Sequence, residues 1–274
     1  MKMKTNPFYF LLAITIALFS SSNFCQAQTA SVPYGEVAFI KVAPGMNDNY
    51  LAACKILKKL NNGRKAAKAI DTWQLYKRVY PMHEGLDYDF ATFEVFPSGK
   101  EMQARKELTA WDAPLKDLTA KEISTSIGSL NGIRTVLDRD VYSFRMGAGT
   151  SVKAGDYMLL SRVKATAGNL DAYEKTLETL KPVVEEAIKA GKLKSWNVWK
   201  RTLATNVDGD TDFTVAFSFG SMDEALAYAS EKVTVAAEFK KLYPKDEFAA
   251  FRIKQVALRN MVKQELWELI DITD

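Results

Sequence analysis

The sequence predicts an α+β fold made of two tandem βαββα units whose antiparallel sheets face each other. Two observations carry this. The stretch WQLYKRVY at 73–80 returns as WNVWKRTL at 196–203, an offset of 123 residues. Strand-type and helix-type segments also follow the same order on either side of the middle of the chain, over 34–146 and 154–272. Self-similarity at a fixed spacing is evidence about architecture before it is evidence about function.

The elements follow in order. Each half opens on a strand, EVAFIKV (36–42) and YMLLSRV (157–163), rich in the β-branched and aromatic residues that suit a pleated surface. A long helix comes next. In the second half Asn169 is placed to cap it, and Tyr173, Leu177, Leu180, Val184 and Ile188 recur at helical spacing. Pro182 should kink this helix. In the first half Asn61-Asn62-Gly63 should interrupt its counterpart. Two strands joined by an Asp- and Gly-rich turn come after: MHEGLDYD (82–89) and TNVDGDTD (205–212). At the same offset ATFEVF (91–96) aligns with TVAFSF (214–219). Two further helices are expected, the second over about 117–137 and 245–262, then a closing strand, DVYSFRM (140–146) and ELWELIDI (265–272). FTVAFSF is large on one side, small on the other and uncharged on both, which calls for burial on both faces. A second copy of the same sheet is the natural cover.

The amino terminus has the order of a secretory signal peptide. Lys2 and Lys4 precede an apolar run from Phe8 to Phe19 broken only by Thr15, and Cys25-Gln26-Ala27 offers a small-residue cleavage site. The run is too short to span a bilayer, which takes roughly 20 residues. Removal of 1–27 would leave a periplasmic or secreted chain of 247 residues (274 less 27) with no membrane span. It would carry 35 Lys and Arg against 33 Asp and Glu, too even and too scattered for a nucleic-acid surface. Only Cys54 would remain, which excludes an internal disulfide and reads as a buried thiol. Each chain supplies both sheets, so a monomer or a homodimer is consistent with the repeat.

The paired βαββα units resemble the dimeric α+β barrel superfamily built on ferredoxin-like units. Its members include antibiotic-biosynthesis-type monooxygenases, NIPSNAP-like and EthD-like proteins, chlorite dismutases and dye-decolorising peroxidases. The resemblance rests on element order and on the repeat. It carries no catalytic motif, so it implies a fold and not an activity. The haem-bearing members use a proximal histidine. Here His83 is the only one and stands in the turn of the first half alone, so no cofactor is expected. The same count argues against a Ser-His-Asp triad and a histidine zinc site. The loop from Asn206 to Asp212 has calcium-like Asp spacing, but Gly209 comes too early and Phe217 stands where a bidentate Glu would be needed, so no metal is expected.

The candidate site is the repeated strand itself: Trp73, Tyr76, Lys77 and Arg78, with Trp196, Trp199, Lys200 and Arg201. Alternation puts Trp73 and Lys77 on one face and Tyr76 and Arg78 on the other, and likewise for the second copy. An aromatic wall ending in a cation suits a small organic anion, and Arg201 is expected to contact it without holding the fold. Alternatively the aromatics are core and the cations reach past them to water. Arg162 and Glu94, charges in apolar strands, are expected to form ion pairs between the halves. Arg134 and Arg259, near helix ends, are expected to hold carboxylates or carbonyls. Three function classes stay open: an exported binder of a small organic ligand in a barrel cavity, a cofactor-independent oxygenase or isomerase, and an interaction domain with no pocket.

Overall fold

The computed structural model describes residues 31–81, 88–104, 119–204 and 211–274. The signal-type segment, His83 and most of the Asp-rich loop at 206–212 lie outside them. The first half contains β1 (Tyr34–Val42), α1 (Asn47–Ala66), β2 (Thr72–Tyr80), β3 (Phe90–Phe96), α2 (Gly99–Ala104), α3 (Ala120–Ile133) and β4 (Arg134–Gly149). The second contains β5 (Tyr157–Ala165), α4 (Leu170–Lys189), β6 (Ser195–Ala204), β7 (Phe213–Phe219), α5 (Met222–Ala229), α6 (Ala236–Leu242), α7 (Phe248–Ala257) and β8 (Arg259–Ile272).

The eight strands close into one antiparallel barrel in the order β1-β3-β2-β8-β5-β7-β6-β4. The sheets β4-β1-β3-β2 and β8-β5-β7-β6 face each other as expected. They are also hydrogen-bonded edge to edge along two seams, β2 with β8 and β4 with β6. Closure leaves no free sheet edge, and eight strands enclose a space that side chains or one small ligand can fill. The long closing strands make this possible. β4 pairs with β1 through Arg134–Ser143 and with β6 through Asp140–Gly149. β8 divides itself in the same way between β5 and β2.

Strand alternation then sorts the core into three bodies. Outward residues of β1–β3, including Ile40, Trp73 and Phe90, pack with Tyr50 of α1. Outward residues of β5–β8, including Val163, Trp196 and Phe213, pack under α4 to α7. Inward residues such as Val37, Phe39, Tyr76, Leu160 and Trp267 form the third body, inside the barrel. Trp73 and Trp196 are each almost wholly buried. Each such ring removes roughly 150–250 Å² from water, worth about 4–6 kcal/mol as an upper value. β7 is buried on both faces for this reason: Phe213, Val215 and Phe219 lie under helices, while Thr214, Ala216 and Ser218 face the barrel.

Two expectations need correction, the break in α1 and the length of the last helices, while α4 carries its proline inside the helix. α1 runs unbroken through Asn61-Asn62-Gly63. Asn61 accepts from Arg64 Nη1 at 2.6 Å, and Asn62 exchanges hydrogen bonds with Asp274, so neither side chain is left to compete for the helix backbone. α4 continues through Pro182 to Lys189. The last helix of each half is shorter than the sequence suggests, because β4 and β8 begin already at Arg134 and Arg259 to reach across the seams.

Candidate functional site

The repeated motif is split between two environments. Trp73 and Trp196 belong to the helix-covered cores and not to a ligand site, because their side of the strand faces helices. Lys77 is exposed. Lys200 also points outward, with Nζ 3.9 Å from Glu174 Oε2 and 5.8 Å from the centre of the Phe213 ring. Tyr76 and Trp199 point inward and line a cavity. Arg78 and Arg201 point inward as well, but they are engaged at the seams. Arg78 Nη1 lies 3.4 Å from Glu265 Oε1, and its Nη2 donates to the Tyr88 carbonyl. Arg201 Nη2 donates to Asp140 Oδ1 at 2.8 Å. Both are ion pairs between the halves, made by the repeated arginines, alongside Lys58–Asp271 and Arg145–Glu174. Arg162 and Glu94 instead find partners within their own halves, Glu265 and Arg64. Arg134 stands over the Tyr50 ring at 5.9 Å, and Arg259 Nη1 donates toward Met261 Sδ at 3.7 Å.

The barrel cavity measures about 220 Å³. Phe39, Tyr76, Phe93, Tyr142, Trp199 and Trp267 give it an aromatic wall. The space exists because the inner face of β7 is small. Phe93 and Trp199 meet edge to face, with centroids 5.1 Å apart and planes at 89°. Gly35 makes room for that pair: a Cβ there would stand 2.4 Å from Phe93 Cε2 and 3.1 Å from Trp199 Cζ3.

The charge in this wall is Arg162. Its guanidinium carbon lies 4.6 Å from the centre of the Phe39 ring. Nη2 is 3.4 Å from Glu265 Oε2, yet neither that atom nor Nε makes a hydrogen bond. The Tyr88 hydroxyl at 2.5 Å, Lys263 Nζ at 3.0 Å and Arg78 all reach Glu265 Oε1, so Oε2, which makes no hydrogen bond, is left facing Arg162 Nη2 as its ion-pair partner. Among the described residues, Arg78, Arg162, Arg201 and Lys263 thus share two carboxylates, Glu265 and Asp140, at this end of the barrel. Burial opposes the charge on Arg162, but Tyr142, Tyr88, Glu265 and Asp140 outweigh it and its pKa is raised. Burial pushes the Tyr142 phenol up to about 12, and its hydroxyl donates to Asp140 Oδ2 at 3.0 Å. Burial raises the Tyr76 phenol also. At neutral pH both are hydrogen-bond donors, not bases. Sequence reasoning noticed Arg162 and misassigned it. The usable signal was its parity with Met158 and Leu160, which places all three on the inner face.

A second cleft, about 730 Å³, lies between the outer face of β5, β7 and β8 and helices α4 to α7. Tyr173 and Tyr228 line it, both phenols pushed up to about 12 by burial. Arg259 is there too, its pKa lowered by burial and its buried Nε unpartnered. Among the described residues, which do not include His83, no histidine lines either cavity. A phenol held protonated is a poor axial ligand, so these donor sets do not fit haem and no step is assigned to it.

No family model matches the chain, and none of the curated proteins compared with it matches. Solved structures do. A candidate monooxygenase from Fusobacterium nucleatum superimposes with a TM-score of 0.58 at 10% identity, over 89% of this chain and 95% of that one. One from Lactobacillus acidophilus gives 0.56 at 10% identity, over 89% and 96%. An anthrone oxidase-like protein gives 0.53 at 12% identity, over 88% and 92%. The chain therefore has the dimeric α+β barrel fold, in the form shared with monooxygenase-like proteins. Likeness at this level of identity concerns the fold alone.

Proposed function

We propose that the protein binds one small organic anion inside the barrel, with Arg162 as the ionic contact, and that it acts as an exported binding protein. The observation that carries the reading is the buried Arg162 guanidinium in an aromatic-walled cavity, with Nε making no hydrogen bond and Nη2 held only at ion-pair distance, 3.4 Å, from Glu265 Oε2. A buried guanidinium with an unused donor is costly, and a carboxylate offsets that cost through charge-assisted hydrogen bonds. Export rests on the signal-type amino terminus, and a protein processed as expected would begin at Gln28. The matched strands and offsets support an origin by duplication of one βαββα unit.

The test is native mass spectrometry on protein purified from its own host. A small acid should accompany the chain and be lost from Arg162→Met. That variant should stay folded, since Glu265 keeps Arg78, Lys263 and Tyr88. An adduct retained undiminished in Arg162→Met overturns the reading. A second reading, an oxygenase or isomerase working in the outer cleft, is favoured by the unpartnered Nε of Arg259 in that cleft with Tyr173. It gains support from an adduct that survives Arg162→Met and disappears in Arg259→Met.

A further inference from the structure

Resting on the barrel-cavity reading, we infer that the ligand is a flat aromatic monocarboxylate bearing a neutral oxygen substituent on the side of the ring away from the carboxylate. The two ends of the cavity differ in chemistry. At one end stand Arg162, the Tyr142 phenol and the buried hydroxyl of Thr214. Thr214 is paired with Arg162 across β5 and β7. At the other end stand Gln74, Asn197 and Ser218. Gln74 and Asn197 each lie two residues beyond Tyr76 and Trp199, away from the arginines. These end groups are neutral. The Tyr76 hydroxyl donates to Gln74 Oε1 at 2.9 Å, which leaves the Gln74 amide N–H groups to donate to a ligand oxygen.

Between the ends the wall is aromatic on most sides. From Thr214 to Ser218 is four residues, about 14 Å of extended strand, and the side chains at both ends occupy part of that. At about 220 Å³ the cavity falls below the roughly 300–1,000 Å³ usual for drug-sized ligands. One ring with a substituent at each end fits. A single guanidinium with its Nε unpartnered at one end sets the charge at one carboxylate. Ring-to-ring contacts with Trp199, Trp267 and Phe93 favour a flat body over a puckered one.

The experiment is calorimetric titration of the wild-type protein with four probes: benzoate, 4-hydroxybenzoate, cyclohexanecarboxylate and benzamide. We expect 4-hydroxybenzoate to bind tightest, with benzoate roughly three- to tenfold weaker for the lost hydrogen bond. Cyclohexanecarboxylate should be weaker again, and neutral benzamide weaker than benzoate by roughly tenfold or more. Equal affinity for all three acids, lost in Arg162→Met, overturns this inference and leaves anion binding standing. Failure of every acid to bind, or benzamide binding as well as benzoate, overturns both.

Discussion

Arg201 was the residue the sequence offered as a ligand contact, and the structure makes it a clamp between the halves. Its guanidinium pairs with Asp140 at 2.8 Å, and the two side chains are only 9% and 3% exposed. Truncation to Arg201→Met keeps most of the aliphatic bulk but strands a buried carboxylate. Breaking one partner of a buried pair usually costs about 3–5 kcal/mol. Asp140 would retain the Tyr142 hydroxyl at 3.0 Å, so the lower value, about 3 kcal/mol, is expected. For a chain of this length that is roughly 2–4 °C of Tm per kcal/mol, or about 6–12 °C. The pair should be non-additive. Asp140→Leu combined with Arg201→Met removes both charges and should recover most of the loss, because the bridge repays desolvation only when intact. Urea denaturation and thermal melts on the two single variants and the double variant close the cycle. A loss below about 1 kcal/mol in Arg201→Met, or intact stability with ligand binding abolished, would refute the seam assignment and return Arg201 to the site.

Two further outcomes follow from the same geometry. Gly35→Ala should cost about 1–3 kcal/mol through overpacking and weaken binding of any barrel ligand, since the new Cβ would collide with Phe93 at 2.4 Å; denaturant melts with benzoate titration check both, and an unperturbed variant would contradict the close approach. Burial holds the phenols of Tyr142, Tyr173 and Tyr228 at about 12 against an ordinary 10.0; the folded state thus favours the neutral form, and the stability this gives is complete below pH 10 and lost as pH rises toward 12. Spectrophotometric titration should show a late group of tyrosinates appearing with unfolding, and full ionisation near pH 10 with the fold intact would refute their burial.

The fold was legible because both halves state it in strand alternation and the halves agree. Trp73 against Trp196 and Asp89 against Asp212 set the register, and each of those two aspartates accepts a strand-end amide, from Val42 and from Ala165, at 2.9 Å and 2.8 Å. A barrel was legible, but the two hydrogen-bonded seams that close it were not. Closure depends on β4 and β8 running long enough to serve two neighbours, and their first residues had been absorbed into helical patterns. The site was half legible. Alternation placed Tyr76 and Trp199 on a shared inner surface, but the motif holds several aromatics and cations and cannot say which face meets a cavity. That was decided by β7, whose small face was visible in FTVAFSF, and by the tight approach of Phe93 to Gly35, which no local pattern encodes.

In the proposed reading, one anion site arises from two similar halves through a single substitution within the proposed duplication. Phe39 and Arg162 hold equivalent registers, pairing with Ala91 and Thr214 at the inner ends of β1 and β5. Each is followed by an irregularity in pairing with its closing strand. In a symmetric dimer of identical units this position would bring either two phenylalanines or two arginines together across the axis. Two phenylalanines give a filled apolar core with no charge to recognise an anion. Two arginines set like charges close together in a low-dielectric interior, where repulsion is strong. Fusing the units lets one position carry each residue, and the Arg162 guanidinium lies over the Phe39 ring at 4.6 Å, an arrangement favourable in itself. The aromatic partner stabilises the cation without using its hydrogen-bond donors, so Nε is left to meet a ligand. For the proposed site, titration should give one binding event per chain, a stoichiometry set by Arg162 and not by the number of repeats.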